Sequence, residues 1–268
     1  MIEIDLTGQV AVITGGSSGI GLATAGLFLR AGASVAICGR DRARLASAEA
    51  ALQERAPDAD LLAMQCDVLD AAQVSAFEHA VRARFGRTDM LINNAGQGRV
   101  STFADTSDEA WREELELKYF GILRPTRAFL PMLRDAAESG NAAIVCVNSL
   151  LAQQPEPHMV ATSSARAGVL NLTRSLAGEF APSGVRVNSI LIGIVESGQW
   201  RRRHAAQAQT GQSWEAWSGE LARKKNIPLG RFGRPDEAAQ ALFFLATALS
   251  SYTTGTHIDV SGGVARHV

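Results

Sequence analysis

Few turns leave a chain as little freedom as Thr14-Gly15-Gly16-Ser17-Ser18-Gly19-Ile20-Gly21, which follows an apolar β-branched run directly and opens an alanine-rich helical pattern. Glycine lets the backbone turn sharply and approach another group closely, and the helix start adds unpaired N–H groups and the positive end of a dipole. A strand-to-helix turn this tight needs glycine with or without a ligand, so its surroundings decide its use.

The alternation around that turn runs through the whole chain. Short β-branched or apolar runs, Val10 to Thr14, Ser34 to Cys38, Leu61 to Gln65, Met90 to Asn93, Ala143 to Val147, Arg186 to Leu191 and His257 to Val260, are separated by longer segments. Among these, Gly21 to Arg30, Arg42 to Arg55 and Ala71 to Phe85 carry apolar residues at three- and four-residue intervals with charges on the other face. That is the pattern of an α/β protein, a parallel sheet wrapped by helices. With 268 residues, 46% hydrophobic and 20% charged, the chain is long enough for one sizeable core, and disorder, collagen and coiled coil are excluded. No repeat, low-complexity tract or linker divides it, so a single domain over 1–268 is expected.

One segment breaks the alternation. Glu196 to Asn226, placed after the sixth strand, is polar and carries Trp200, Trp214 and Trp217 together with the basic run Arg201-Arg202-Arg203-His204. An insertion at about 196–226, beyond a strand's carboxyl end, is a natural lid over a substrate site. Its basic run reads first as a solvated helix face or subunit contact. Its tryptophans suit either a pocket wall or internal packing.

Charge narrows the ligand class. With 26 Lys+Arg against 27 Asp+Glu the net charge is −1, which gives no electrostatic footprint for nucleic acid or an anionic membrane and favours a small-molecule ligand. Cys38, Cys66 and Cys146 are odd in number, far apart and set in apolar stretches, as buried thiols in a reducing compartment would be. The acidic amino-terminal segment and the absence of a long apolar stretch predict a cytoplasmic location. No metal site is read from the sequence.

The second strand ends in Gly39-Arg40, where a protein binding both hydroxyls of an NAD ribose would place a carboxylate. Arginine there, with Arg42 and Arg44 close behind, favours a 2′-phosphate, hence NADP(H) over NAD(H). Arg40 is the residue expected to make that contact.

Several further motifs stand in register. The glycine turn, Cys66-Asp67-Val68 after the third strand, Asn93-Asn94-Ala95-Gly96 after the fourth, Arg186-Val187-Asn188 in the sixth, and Gly230-Arg231-Phe232-Gly233-Arg234-Pro235 with Gly262-Gly263 near the end resemble the short-chain dehydrogenase/reductases from about Leu6 to Gly263. The resemblance implies a seven-stranded, doubly wound parallel Rossmann sheet in one domain, usually a homotetramer, that moves hydride between nicotinamide and a carbonyl or alcohol. It places Gly15, Ser17, Ser18, Gly19 and Ile20 at the phosphates and adjacent ribose, with Gly21 completing the turn. Asp67 and Val68 would frame the adenine, and Asn94, Ala95 and Gly96 would line the ribose-nicotinamide side. Where the family has Pro-Gly after the sixth strand stands Ile192-Gly193; Val195 would meet the carboxamide through its backbone, and Ser197 keeps a hydroxyl for phosphate.

The catalytic positions depart from the family. Ser149 fits the family serine, but thirteen residues on, at the tyrosine position, stands Thr162; four further, at the lysine position, stands Arg166; and Lys118 occupies the place of the asparagine on the preceding long helix. A threonine hydroxyl does not titrate near neutrality and a guanidinium is effectively never deprotonated, so Thr162 cannot replace the tyrosine as general acid. Arg166 can still hold the ribose hydroxyls. For the proton, His158 on the loop before Thr162 and Lys118, its pKa lowered by burial beside Arg166, are the candidates.

Two readings follow. The first is an NADP(H)-dependent oxidoreductase with a non-standard proton donor, acting on a small carbonyl, alcohol or imine, the last able to arrive already protonated. The second is an altered relative that binds NADP(H) as a sensor or structural partner, or performs isomerase or lyase chemistry.

Overall fold

A computed structural model describes residues 4–208 and 211–266; residues 1–3, 267–268 and, within the predicted insertion, 209–210 lie outside the described residues. Seven strands, β1 (Val10–Thr14), β2 (Ser34–Gly39), β3 (Leu61–Gln65), β4 (Met90–Asn93), β5 (Ala142–Ser149), β6 (Val185–Ile192) and β7 (His257–Val260), form one sheet in the order β3-β2-β1-β4-β5-β6-β7. Every pairing is parallel. Between them run α1 (Gly19–Arg30), α2 (Arg42–Arg55), α3 (Ala71–Phe85), α4 (Asp108–Glu138), α5 (Val160–Phe180), α6 (Gly198–Gln207), α7 (Trp214–Lys224) and α8 (Pro235–Ala246). This is the doubly wound Rossmann arrangement.

The strand sequences explain the two-sided cover. Side chains alternate across a strand, so in β1 Val10 and Val12 face one way and Ala11 and Ile13 the other, and all four are apolar because neither face meets water. Val10 and Val12 join Val74 and Phe77 of α3, Phe129 of α4 and Val169 and Phe180 of α5. Ala11 and Ile13 join Phe28 of α1, Leu45 of α2 and Leu242 and Phe243 of α8. The last two long strands extend beyond the predicted ends because β5 and β6 pair with each other over eight residues, Ala142↔Val185 through Ser149↔Ile192.

The segment after β6 folds as α6 and α7 around a small core of its own, Trp214, Trp217, Ala222, Ile227 and Phe232. Its entry is tied to the turn before α8: a parallel bridge joins Val195 to Gly233, and the Glu196 N–H donates to the Gly233 carbonyl at 2.9 Å.

Candidate active site

The chain leaves β1 and β4 in opposite directions along the sheet, and at such a switch point the carboxyl ends of the strands enclose a crevice. Here the crevice is a cleft of about 720 Å³. Its walls are the glycine turn, the end of β2, the segments after β3 and β4, and the start of the insertion.

The turn is shaped by contact. Gly15 has φ +67°, and a Cβ on it would stand 2.9 Å from the Ala95 Cα. Asn94 Nδ2 donates to the carbonyls of Thr14 (2.9 Å) and Gly15 (3.0 Å), while the N–H groups of Asn94 and Ala95 both donate to Thr14 Oγ1 at 3.0 Å. Asn94 therefore lines the cleft and also pins the turn. Of the predicted binding residues, Gly15, Ser17, Ser18, Gly19, Ile20, Arg40, Asp67, Val68, Asn94, Ala95, Gly96, Gly193, Val195 and Ser197 all line the cleft. Gly21 does not: it faces inward, where a Cβ would lie 2.4 Å from the Gly15 carbonyl oxygen and 2.5 Å from Asn94 Nδ2. Its part is to let helix and turn close on each other.

The cleft suits an anionic dinucleotide. Ser18 caps α1 without a side-chain hydrogen bond, and the first turn of that helix holds no acidic residue. By contrast, Asp41, Asp70, Ser107, Ser197 and Ser213 cap α2, α3, α4, α6 and α7 with their side chains. The N–H groups of α1 are thus left for a ligand, and the space beside Gly19 is open. Arg40 is exposed and only 4.0 Å from Asp67 at its nearest, so its fork is uncommitted, whereas the Arg44 Nε donates to Asp41 at 3.0 Å. Ser197 accepts the Trp200 N–H at 3.4 Å and keeps its own proton to donate.

The catalytic end is built from α4, α5 and the segment after β4. Arg166 lines the cleft; its Nη1 donates to the Val147 carbonyl at 2.7 Å, and its buried Nε has no hydrogen-bond partner among the described residues. Burial lowers its pKa to about 10, against the pull of Glu114, so it stays charged at neutral pH. Thr162 is buried, accepts the Arg99 N–H at 3.2 Å and donates to Glu114 Oε1 at 2.6 Å. Lys118, also buried, donates to that same Glu114 oxygen and to the Gln97 carbonyl, both at 2.7 Å. Burial first, then the neighbouring Arg166, pull the Lys118 ammonium down to about 8 despite the opposing carboxylate. Ser149 closes β5, half-buried, its hydroxyl accepting the Leu151 N–H at 3.3 Å and so free to donate its proton.

His158 is not brought to this cluster. It is an exposed loop residue whose Nε2 lies 3.1 Å from Glu156; among the described residues, neither it nor Ser149, Thr162 or Lys118 lines the cleft, which of the predicted catalytic residues Arg166 alone reaches. The prolines and the Glu156 carboxylate around it hold it on the outer surface of the loop. The basic run divides: Arg202 lines the cleft, while Arg201 stacks 3.9 Å from the Trp214 ring centre and Arg203 stacks on Trp200. Likewise Trp200 both lines the cleft and packs on Phe232, with ring centres 5.2 Å apart.

Sequence reasoning missed Glu114. The signal was present, since Glu114 and Lys118 are four apart on one helix face with Gly121, Ile122 and Pro125, all buried. A carboxylate on an apolar stripe is itself the anomaly. Gln97, whose backbone carbonyl holds Lys118, carried no such signal.

A doubly wound parallel sheet with an anion-accepting glycine turn at its switch point defines a Rossmann-type dinucleotide-binding scaffold. A sequence profile described as Enoyl-(Acyl carrier protein) reductase matches residues 15–265. An uncharacterized short-chain type dehydrogenase/reductase, y4mP, of Sinorhizobium fredii is 35% identical, the match covering 98% of this chain and 99% of that one. The NADPH-bound structure of a short chain oxidoreductase from Pseudomonas aeruginosa PAO1, described as containing an atypical catalytic center, is 64% identical with a TM-score of 0.93, over 98% of this chain and 99% of that one. L-sorbose reductase from Gluconobacter frateurii, complexed with NADPH and L-sorbose, is 31% identical with a TM-score of 0.92 and covers 100% of both chains. The chain belongs to the short-chain dehydrogenase/reductases and is an oxidoreductase of that type.

Proposed function

We propose that this protein is an NADP(H)-dependent reductase or dehydrogenase of a small carbonyl or alcohol, an imine being equally admissible, in which Lys118 holds the transferable proton. The observation that carries the reading is one cleft with the N-terminus of α1, free of a side-chain cap, and Arg40 at one end and Arg166 and Gln97 at the other, Lys118 being buried and bonded to the Gln97 carbonyl of that wall. The NADPH held by the relative from Pseudomonas aeruginosa supports the cofactor.

The bound nicotinamide supplies or takes up hydride. The chain does the rest. Ser17, Ser18, Gly19 and Ile20 receive the phosphates, Arg40 the 2′-phosphate, Asp67 and Val68 the adenine, and Ala95 and Gly96 give room for the nicotinamide ribose. Gly193, Val195 and Ser197 border the same end, Val195 offering its backbone. Arg166 keeps its free Nε–H for a ribose hydroxyl, and its fixed charge favours a developing oxyanion. Ser149 donates its free proton to the substrate oxygen, orienting it. Thr162, whose proton is given to Glu114, cannot serve as the acid. Lys118, bonded to the Gln97 carbonyl of the cleft wall, can release a proton close to neutral pH.

The insertion acts as the lid, α6 presenting Trp200 and Arg202 to the cleft. Apolar side chains exposed at Phe244, Leu249 and Tyr252 on one side and at Leu115 and Phe120 on α4 support a homo-oligomer, a tetramer by family. Three free buried cysteines fit a cytoplasmic protein. Among the described residues no helix is long and apolar enough to cross a membrane.

The test is NADPH consumption over aldehydes, ketones, quinones and imines, with Thr162→Tyr/Arg166→Lys beside the wild type. Wild-type turnover is the expected result. Binding of NADPH with turnover only in the double variant would give precedence to the non-redox reading.

A further inference from the structure

Glu114, which the family motifs do not include, sits at the centre of the cluster formed by Lys118, Thr162 and Arg166. It is 3% exposed, as is Lys118. One oxygen, Oε1, receives both the Thr162 hydroxyl at 2.6 Å and the Lys118 ammonium at 2.7 Å. Three charged groups act on Lys118. Glu114 lies one turn away on α4; Arg166 comes from α5; Arg99, from the segment after β4, is already paired with Glu113 at 2.8 Å. Two cations, the buried Lys118 and the half-buried Arg166 at the cleft wall, therefore face one buried carboxylate.

A buried ion pair is a poor way to gain stability, since desolvation of both charges offsets their attraction and an apolar pair of the same volume serves as well or better. An arrangement kept in spite of that cost, beside a cleft, points to a functional constraint. We propose that Glu114 is a positioning residue for the reaction: it carries the counter-charge of the Lys118–Arg166 pair and holds the Lys118 amine against Gln97 at the cleft wall. Thr162, which stands where the family has its acid, instead orients that carboxylate. The inference rests on the reading above that Lys118 holds the transferable proton.

Lysine occurs only at 118, 224 and 225, so ¹³Cε-lysine NMR resolves the Lys118 titration directly, its signal identified by loss in Lys118→Arg. Glu114→Gln keeps the shape and removes the charge. The Lys118 midpoint is expected to fall by about one to three pH units, the range for loss of an opposite charge at contact distance. A midpoint that stays or rises overturns the proposal. So does loss of fold in Glu114→Gln that persists in Glu114→Gln/Arg166→Gln, since removing one charge of each sign restores the balance the proposal invokes; a folded double variant supports it. The pH profile of kcat/KM separates the two claims. A limb that moves with the NMR midpoint supports both; an NMR shift without a moving limb leaves the counter-charge role intact and removes Lys118 as the proton source.

Discussion

Arg40 owes its place to the end of β2, where the chain exchanges a ribose-binding carboxylate for a guanidinium that is 60% exposed and loosely held. A charge-assisted contact of this kind is worth about 1.5–3 kcal/mol, so Arg40→Ala should weaken NADPH binding by about ten- to a hundredfold and leave NADH nearly unchanged. Fluorescence titration with both nucleotides measures it; equal losses for the two would remove Arg40 from the 2′-phosphate. Gly21→Ala tests the turn itself. With Gly15 O and Asn94 Nδ2 at 2.4 and 2.5 Å from the added methyl, the turn must shift, and NADPH affinity should fall more than overall stability does. At this scale the residues that line the cleft were legible because glycine spacing and strand ends fix backbone positions. The placement of His158 and the double role of Asn94 were not, because they depend on which side chain a distant segment meets; Glu114 stood out as a carboxylate on an apolar helix stripe, but its bond to Thr162 on α5 did not. Lys118 was legible as a position, but its partners were not.

Helices α4 and α5 must pack at a fixed distance for Lys118, Glu114 and Thr162 to meet. Gly168 sets part of that distance: a Cβ there would fall 1.7 Å from Tyr119 Oη. Gly168→Ala should cost about 1–3 kcal/mol by overpacking, and Tyr119→Phe in the same chain should recover part of it by removing the clashing oxygen; denaturant unfolding of the two variants decides this. The insertion is a different kind of element. It folds on its own aromatic core, so Trp217→Ala should loosen α6 and α7 and raise KM with little change in the melting of the sheet, a split read by steady-state kinetics beside calorimetry. Helix boundaries at α2 and α3 were readable from their periodicity, and the structure adds Asp41 and Asp70 as the caps that start them. The ends of β5 and β6 were not, since a strand continues as long as its neighbour offers partners, and that neighbour is remote in sequence.

At the scale of the whole molecule, the sheet with two apolar faces makes the binding cleft a consequence of topology. Strand order places the switch point between β1 and β4, and the residues that follow those strands meet there whatever their individual chemistry. The same frame accepts Thr162 and Arg166 in place of the family's tyrosine and lysine, because both stay on one face of α5, with the acid–base work proposed for Lys118 on the neighbouring helix. Core side chains such as Phe129, fully buried between α4 and the sheet, serve the frame alone. Phe129→Ala should cost about 3–5 kcal/mol and lower the unfolding midpoint without altering the ratio of NADPH to NADH affinity.

The pH dependence of kcat/KM for reduction, followed through NADPH consumption in the wild type and in Lys118→Met, tests the central claim most directly. The ammonium is the form that gives the proton, and burial brings it to about 8. Wild-type kcat/KM should therefore hold below that value and fall as pH rises through it. Lys118→Met should lose most of the rate and the limb with it, while still binding NADPH. A wild-type profile with no descending limb near this pH, or a limb that survives in Lys118→Met, would contradict the assignment.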